Sequence, residues 1–448
     1  LKILFVANGF PPNGQWGTEF YTHQAAVGLA ARGHHVSVFC PRREGQAERY
    51  SVTSTTRYGL TLHEVSNPPT RTKRFRDSYL SEGVERCFDE LLRSHRPDVV
   101  HFTHFLWGLS ARLPTLARDS GAKVLVTLTD FGISCHRGQF LDAFLKPCEG
   151  SEPAKCARCV RTLGQYDGPQ PLRSAKQLLA TAMASIGGLG LVPTAADLRE
   201  RDRALQETVQ ATDIFIAPTE AIASRLRGIV VPTEKLEVLC YGIDERPFND
   251  APPTHGEELF RFGFLGQFQP HKGLDVIFRA VSRLAEDSTY RDRKWSVRVH
   301  GTPVGGRHGR FIARTWDPRL APRIEFHGSF EPLQAPWAMA ELDAVIVPSC
   351  WTENAPLTVL QAIAMGLPMI VSDVPGIREV VPEGTTFITP GDAAALSVAM
   401  GSMIRDGARR NLVVEAMPIS HGDHIDALLG HYRRLREGRP GLRLVSGS

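Results

Sequence analysis

ILFVANGFPPNGQWGTEFYTHQAAVGLAARGHHVSVFC, residues 3–40, contains the fold in miniature. The apolar run Ile3 to Ala7 reads as a strand and PPNGQWG as a turn. An amphipathic stretch from Glu19 to Arg32, closed by Gly33, reads as a helix, and VSVFC (36–40) as a second strand. Two strands joined by a helix make one βαβ unit, which requires parallel pairing. The rhythm continues through DVVHF (98–102), KVLVTLT (123–129) and DIFIAPT (213–219), each separated by enough chain for a crossover helix. A parallel sheet covered by helices on both faces follows.

After LEVLCYGID (236–244) a Pro-rich polar segment, residues 246–258, reads as a linker, and the pattern restarts at RFGFLGQF (261–268). SVRVHG (296–301), RIEFHG (323–328), LDAVIVPS (342–349) and PMIVSD (368–373) supply a second set of strands. The expectation is an α/β chain of two doubly wound Rossmann-like domains, residues 1–245 and 259–423, facing across a cleft. Ligands of such sheets gather beyond the carboxyl ends of the strands, so loops 8–18, 129–135, 266–273, 301–309 and 349–357 should line it.

The 448 residues suit two large domains. Apolar residues are 42% and charged residues 22%, a globular balance that excludes a disordered or fibrous chain. A net charge of +4 gives no reason to expect nucleic acid as a partner. The run Ile3 to Ala7 is shorter than a signal-peptide core, and Leu178 to Val192 is too short to span a bilayer, so a cytoplasmic location is expected.

Three cleft loops carry the chemistry. Gly17, just before a helix, lets backbone N–H groups approach a phosphate, although a plain turn residue is equally compatible with its place. Lys272 beside Gly273 at a helix start can reach a diphosphate as a point charge. In PSCWTENAPLTVLQAIAMGLP (348–368) Glu353 sits in the turn and a helix begins near Pro356. Its free N–H groups at Leu357, Thr358 and Val359 can hold a phosphate, Glu353 can accept hydrogen bonds from sugar hydroxyls, and Gln361 can reach a ribose. The simpler reading of Glu353 is a helix cap.

Taken in order and spacing, PPNGQWGTE with ARGHHVSVF, YGID (241–244), Gly266 to Gly273, the segment 348–356 with its helix, and Gly376 with Glu379 resemble the GT-B glycosyltransferases of family four, the glycosyl transferases group 1. The resemblance covers essentially the whole chain. It implies a GT-B fold and retaining transfer from a UDP- or GDP-sugar to a glycan, lipid-linked or small-molecule hydroxyl acceptor. It also implies that the helical segment within 424–448 crosses back to the first domain. Residue by residue it makes Lys272 the phosphate clamp, Glu353 the sugar contact and Gly17 the first-domain approach, with Asp130 at the end of the strand 123–130. The chain departs from the pattern at Trp16, Thr129, Tyr241, Gln267 and Gln361. Thr129 stands where a catalytic His is common, so His104 is a candidate to supply imidazole chemistry. A non-catalytic nucleotide-binding or partner-binding protein is the alternative.

Cys135, Cys148, Cys156 and Cys159, in an insert spanning 135–160, have the spacing C-x12-C-x7-C-x2-C, which suits four thiolates around a structural zinc, with an iron–sulfur cluster as the alternative. No Asp-x-Asp pair is present, and no catalytic divalent metal is expected. Arg71, Lys73, Arg74 and Arg76, together with the apolar stretch 178–192, allow a peripheral contact with the inner face of an anionic membrane. The stronger reading of both is a solvated charge run and a buried helix.

Overall fold

The structure, a computed structural model, describes residues 1–14, 16–42, 47–67, 75–142, 145–161, 193–249, 259–302, 305–330, 332–407 and 418–438. Two sheets organise the chain. The first holds β1 (Lys2–Val6), β2 (His35–Arg42), β3 (Val52–Arg57), β4 (Leu60–Ser66), β5 (Val99–Phe102), β6 (Lys123–Thr127), β7 (Ile214–Ala217) and β8 (Leu236–Val238). Their order is β3-β4-β2-β1-β5-β6-β7-β8, parallel except for the antiparallel pair β3–β4. The second holds β9 (Phe260–Leu265), β10 (Trp295–His300), β11 (Ile324–Gly328), β12 (Ala344–Val347), β13 (Met369–Ser372) and β14 (Thr386–Ile388), all parallel in the order β11-β10-β9-β12-β13-β14.

The helices are α1 (Gly17–Ala31), α2 (Glu82–His95), α3 (Leu113–Asp119), α4 (Pro153–Arg161), α5 (Ala195–Ala211), α6 (Glu220–Leu226) and α7 (Arg246–Asn249), then α8 (Leu274–Glu286), α9 (Gly305–Thr315), α10 (Ala335–Ala340), α11 (Leu357–Ala364), α12 (Ala393–Asp406) and α13 (His421–Arg436). The central strands are buried on both faces: Leu4, Phe5 and Val6 are fully covered, as are Val345 and Ile370. That is why they read as continuous apolar runs. Register at the near edge is set by aspartates that begin or precede strands. Asp98, Asp213 and Asp343 each accept an N–H from the first or second residue of a neighbouring strand, Lys2, Val124 and Arg261, at 2.7–2.8 Å.

In the second sheet, counted within its own domain, the strand order is 3-2-1-4-5-6, so the order reverses between β9 and β12. The equivalent reversal in the first sheet lies between β1 and β5. Crevices open at such reversal points. Loop 266–273 follows β9 and loop 348–356 follows β12, so Lys272 and Glu353 are delivered to the two sides of one crevice.

The hairpin β3–β4 and the strand β14 are not anticipated by the run-turn-helix rhythm. The hairpin turns at Tyr58 and Gly59, both in the left-handed region at φ 53° and 74°, a turn that matches the twist of antiparallel strands. β3 is largely exposed and polar, which removes the hydrophobic signal.

α13 returns to the first sheet. Gly28 of α1 admits Ile425 closely, Tyr21 Oη lies 3.2 Å from His424 Nε2, and Tyr432 Oη lies 2.6 Å from His101 Nδ1. One apolar cluster runs from the first sheet and α1 through α10 and α11 to α13, with Phe5, Leu29, Met339, Val359 and Leu428 among its members. Of the proposed linker, residues 246–249 form α7, while 250–258 lie outside the described residues, as do 71–74 and 178–192. Arg76, the described member of the basic run, is paired with Glu200 at 3.1 Å. Among the described residues no helix is long and apolar enough to cross a membrane.

Candidate active site

A cavity of about 400 Å³ opens between the two sheets. This is within the range of sites for small ligands. Its first-domain wall includes Trp16, Gly17, Thr129, Asp130, Arg137 and Tyr241, and its second-domain wall includes Gln267, His271, Lys272, Glu353, Leu357 and Gln361. Gly17, Asp130, Gln267, Lys272, Glu353, Leu357, Thr358 and Gln361, drawn from four separate stretches of sequence, therefore meet in one place.

Lys272 and Glu353 do so through a close contact of backbones. Gly273 has φ 77°, and a Cβ there would collide with the Pro348 carbonyl, so only glycine lets the start of α8 lie against the end of β12. Gly376, at φ 69°, packs against the carbonyl of Glu353 in the same manner. The result is an ion pair, Lys272 Nζ to Glu353 Oε1 at 2.7 Å, in which the carboxylate is 4% exposed and also accepts from Ser349 Oγ at 2.6 Å. The Lys272 ammonium stands 5.1 Å from the centre of the Trp351 ring. Glu353 is thus a buried, doubly hydrogen-bonded carboxylate that holds its cation, and the capping reading does not apply. Pro356 is the N-cap of α11, and no side chain caps that end.

The free N–H groups of α11 are fewer than the sequence suggests. Val359 N–H is donated to Pro356 O at 2.9 Å, leaving those of Leu357 and Thr358 at the helix start. Opposite stands the start of α1, also without a side-chain cap, where a Cβ on Gly17 would touch the Leu357 side chain. Two helix N-termini thus face each other across the cavity, with Lys272 on one side, an arrangement that favours an anion. Gln361 is 6% exposed on α11 and faces the cavity, whereas Gln267 is engaged by the amide of Gln269.

Asp130 accepts the N–H of Gly132 through Oδ1 at 2.7 Å, and its Oδ2 lies 3.7 Å from His104 Nε2. His104 does not line the cavity. Its Nδ1 is tied to the backbone of Leu106 at 3.1–3.2 Å, so its place is behind Asp130 and it brings no imidazole to the cleft. Thr129 turns its hydroxyl to Thr103 O at 2.9 Å, and its carbonyl receives the side-chain amide of Asn354 from the second domain. Sequence reasoning missed His271, Trp351 and Asn354. All three sit within the motifs already singled out, so adjacency to Lys272 and Glu353 was a usable signal.

The metal centre expected of the cysteine insert finds no support among the described residues. Among the described residues no group of three or more His, Cys, Asp or Glu side chains could hold a metal ion. Cys135 and Cys148 pack as small apolar groups against the first-domain core, and Cys148 Sγ is directed to Gly150 O at 3.3 Å. Cys156 Sγ lies 3.4 Å from Ser151 Oγ, and burial pushes the Cys159 thiol up to about 11. The geometry gives a zinc or iron–sulfur assignment no support, and no chemistry is assigned to such a group here.

Residues 17–242 match the family described as "Glycosyl transferase 4-like domain", and residues 260–406 match "Glycosyl transferases group 1". The chain belongs to the GT-B glycosyltransferases of family four. A relative, D-inositol 3-phosphate glycosyltransferase of Rhodococcus opacus, is 26% identical over 438 residues, covering 93% of this chain and 85% of that one. For two other relatives of that description the match spans 54% and 66% of their length. Among solved structures, sucrose-phosphate synthase of Thermosynechococcus elongatus superposes with a TM-score of 0.64 at 16% identity, covering 98% of this chain and 100% of the other. Anabaena Alr3699/HepE in complex with UDP-glucose superposes at 0.60 and 14% identity, covering 96% and 99%. These two likenesses establish the GT-B fold of the glycosyltransferase.

Proposed function

We propose that this glycosyltransferase moves a sugar from a UDP- or GDP-sugar to a hydroxyl acceptor, with retention at the anomeric carbon. The observation that carries the reading is the pair of opposed helix starts, at Gly17 and Leu357, with Lys272 beside them at the cleft. The diphosphate lies against the N–H groups of Leu357 and Thr358 with Lys272 as its counter-charge, and Gln361 meets the ribose. Glu353 takes hydroxyls of the transferred sugar while keeping Lys272 in position.

In the transfer the bond from the anomeric carbon to the diphosphate oxygen breaks, and a bond from the same face to the acceptor oxygen forms. The acceptor proton passes to the departing diphosphate oxygen. Negative charge grows on the leaving group, so fixed N–H dipoles and an ammonium in a partly dry cleft lower the barrier where it is highest. Asp130, held by Gly132 and backed by His104, stands on the first-domain wall, where the acceptor enters.

The turned-away hydroxyl of Thr129 supports one alternative, a chain that binds nucleotide without turnover. A thermal-shift screen of UDP-, GDP- and ADP-sugars, followed by a hydrolysis assay and assignment of the product anomer, separates the two. Stabilisation with turnover and retained configuration supports transfer, and stabilisation without turnover on any donor supports the alternative.

A further inference from the structure

Tyr241, one of the positions at which the chain departs from the family pattern, lines the cavity from the first domain and is 5% exposed. Its ring lies against that of Tyr21, one turn into α1, with centroids 4.4 Å apart and planes tilted by 36°. Just before it, Cys240 O lies 2.8 Å from His424 Nδ1. Just after it, a Cβ on Gly242 would collide with His424 and with the Ser420 carbonyl. The segment is thus clamped against α13, and the phenol is held where α1 meets the cleft.

The neighbouring phenol has its partner within the protein. A carbonyl only accepts, so His424 Nδ1 donates to Cys240 O. Burial holds His424 at about 4, so its ring is neutral, its Nε2 accepts, and the Tyr21 hydroxyl donates to it at 3.2 Å. Tyr241 Oη has no hydrogen-bond partner among the described residues, and it is not sealed in the interior as Tyr79 Oη is. Burial first, then Tyr21, Cys240 and Asp130, holds the Tyr241 phenol well above its ordinary range, so it keeps its proton. A hydroxyl withdrawn from water without a partner is costly, and this one gains a partner only from a molecule in the cavity.

The diphosphate of a donor is met on the opposite wall, by Lys272 and the start of α11. On the first-domain wall the Asp130 side chain is 33% exposed. Its carboxylate accepts and the Tyr241 phenol donates. An alcohol offers the complement of each, an O–H to the carboxylate and an oxygen lone pair to the phenol. We propose that Tyr241 binds the acceptor, its phenol donating a hydrogen bond to a hydroxyl oxygen of a polyol such as a sugar, and so helps to select which hydroxylated ring is seated there. This rests on the assignment of the donor to the second-domain wall.

The experiment is calorimetric titration of glucose, mannose, galactose and their monodeoxy analogues into the full chain, with and without saturating UDP or GDP. Parent is compared with Tyr241→Phe, which removes the hydroxyl and keeps the ring. At least one hexose should bind the parent, and Tyr241→Phe should bind it about fivefold more weakly, the scale of one neutral hydrogen bond. UDP and GDP affinity should change less than twofold. The melting temperature of the ligand-free variant should not fall, because the hydroxyl has no protein partner to lose. One monodeoxy analogue should bind parent and variant equally, which names the hydroxyl that Tyr241 holds. Hexose binding unchanged in Tyr241→Phe, or no hexose binding by the parent, overturns the proposal. So does a melting temperature lowered by several degrees, which makes the hydroxyl structural. If UDP or GDP binding weakens as much as hexose binding, Tyr241 serves the donor and the proposal is wrong. It is equally wrong if Glu353→Gln abolishes hexose binding, because the probe then occupies the place of the transferred sugar. If the parent binds neither nucleotide while Tyr241→Phe still weakens hexose binding, the donor assignment fails and the Tyr241 site stands.

Discussion

Lys272 Nζ and Glu353 Oε1 lie 2.7 Å apart, so the two residues that the family pattern assigns to different parts of the donor are bound to each other. Removing the cation leaves a buried carboxylate with the Ser349 hydroxyl against it, and removing the carboxylate frees the ammonium to wander. The conservative substitution is therefore more informative than alanine at position 353. Glu353→Gln keeps the size and one acceptor for Ser349 but loses the charge. Turnover with a nucleotide sugar should fall about 100-fold, the scale of one lost charge-assisted contact in the transition state. Affinity for sugar-free UDP or GDP, read by calorimetry, should change less than threefold.

Gln361 offers a test of the ribose contact. A carboxylate accepts hydroxyl hydrogen bonds more strongly than an amide, but at 6% exposure it is costly to bury without a partner. Gln361→Glu should therefore lower the melting temperature of the ligand-free protein while increasing the shift produced by UDP or GDP. A smaller ligand-induced shift than in the parent would remove Gln361 from the ribose.

Glu379 joins the two domains. Its carboxylate accepts the N–H groups of Glu220 and Ala221, at 2.6 and 2.7 Å, at the start of α6, a helix whose own Thr219 makes no capping bond. Loss of a helix cap costs about 1 kcal/mol. Glu379→Ala should lower stability by that order, increase the radius of gyration in solution scattering, and raise the donor KM several-fold by favouring separated domains.

Acid should loosen the return of α13. Burial holds His424 and His431 at about 4 and His101 well below its ordinary range, the last as a neutral ring between Tyr432 Oη and Thr127 Oγ1. Between about pH 6.5 and 4 the unfolded chain takes up protons that the folded chain refuses, so stability is complete above 6.5 and falls as pH drops through that window. For a histidine with His424's shift the loss at pH 5 is about 2 kcal/mol. Melting temperatures between pH 7.5 and 5 should show the fall, and His424→Gln should flatten it.

Much of this was readable in the sequence, because a doubly wound sheet writes itself as alternating apolar runs and helices, and because Gly273 and the Pro356 turn mark where strand ends become helix starts. What was not readable depends on contacts between distant segments. His104 looked like a cleft residue because it follows a strand end, yet the backbone of Leu106 holds its ring behind Asp130. Arg137 gave no periodic signal and reaches the cleft only through the folding of its turn. The cysteine spacing suits a metal centre, but two of the thiols pack against the edge of the apolar core.

The most direct test of the account is calorimetric titration of UDP and GDP into the parent chain and into Lys272→Ala. The account predicts that the parent binds at least one of the two. It also predicts that Lys272→Ala, confirmed as folded by its circular dichroism, binds that nucleotide at least tenfold more weakly, a loss of about 1.4 kcal/mol or more. A parent that binds neither nucleotide, or a folded Lys272→Ala protein that binds as tightly as the parent, would contradict it.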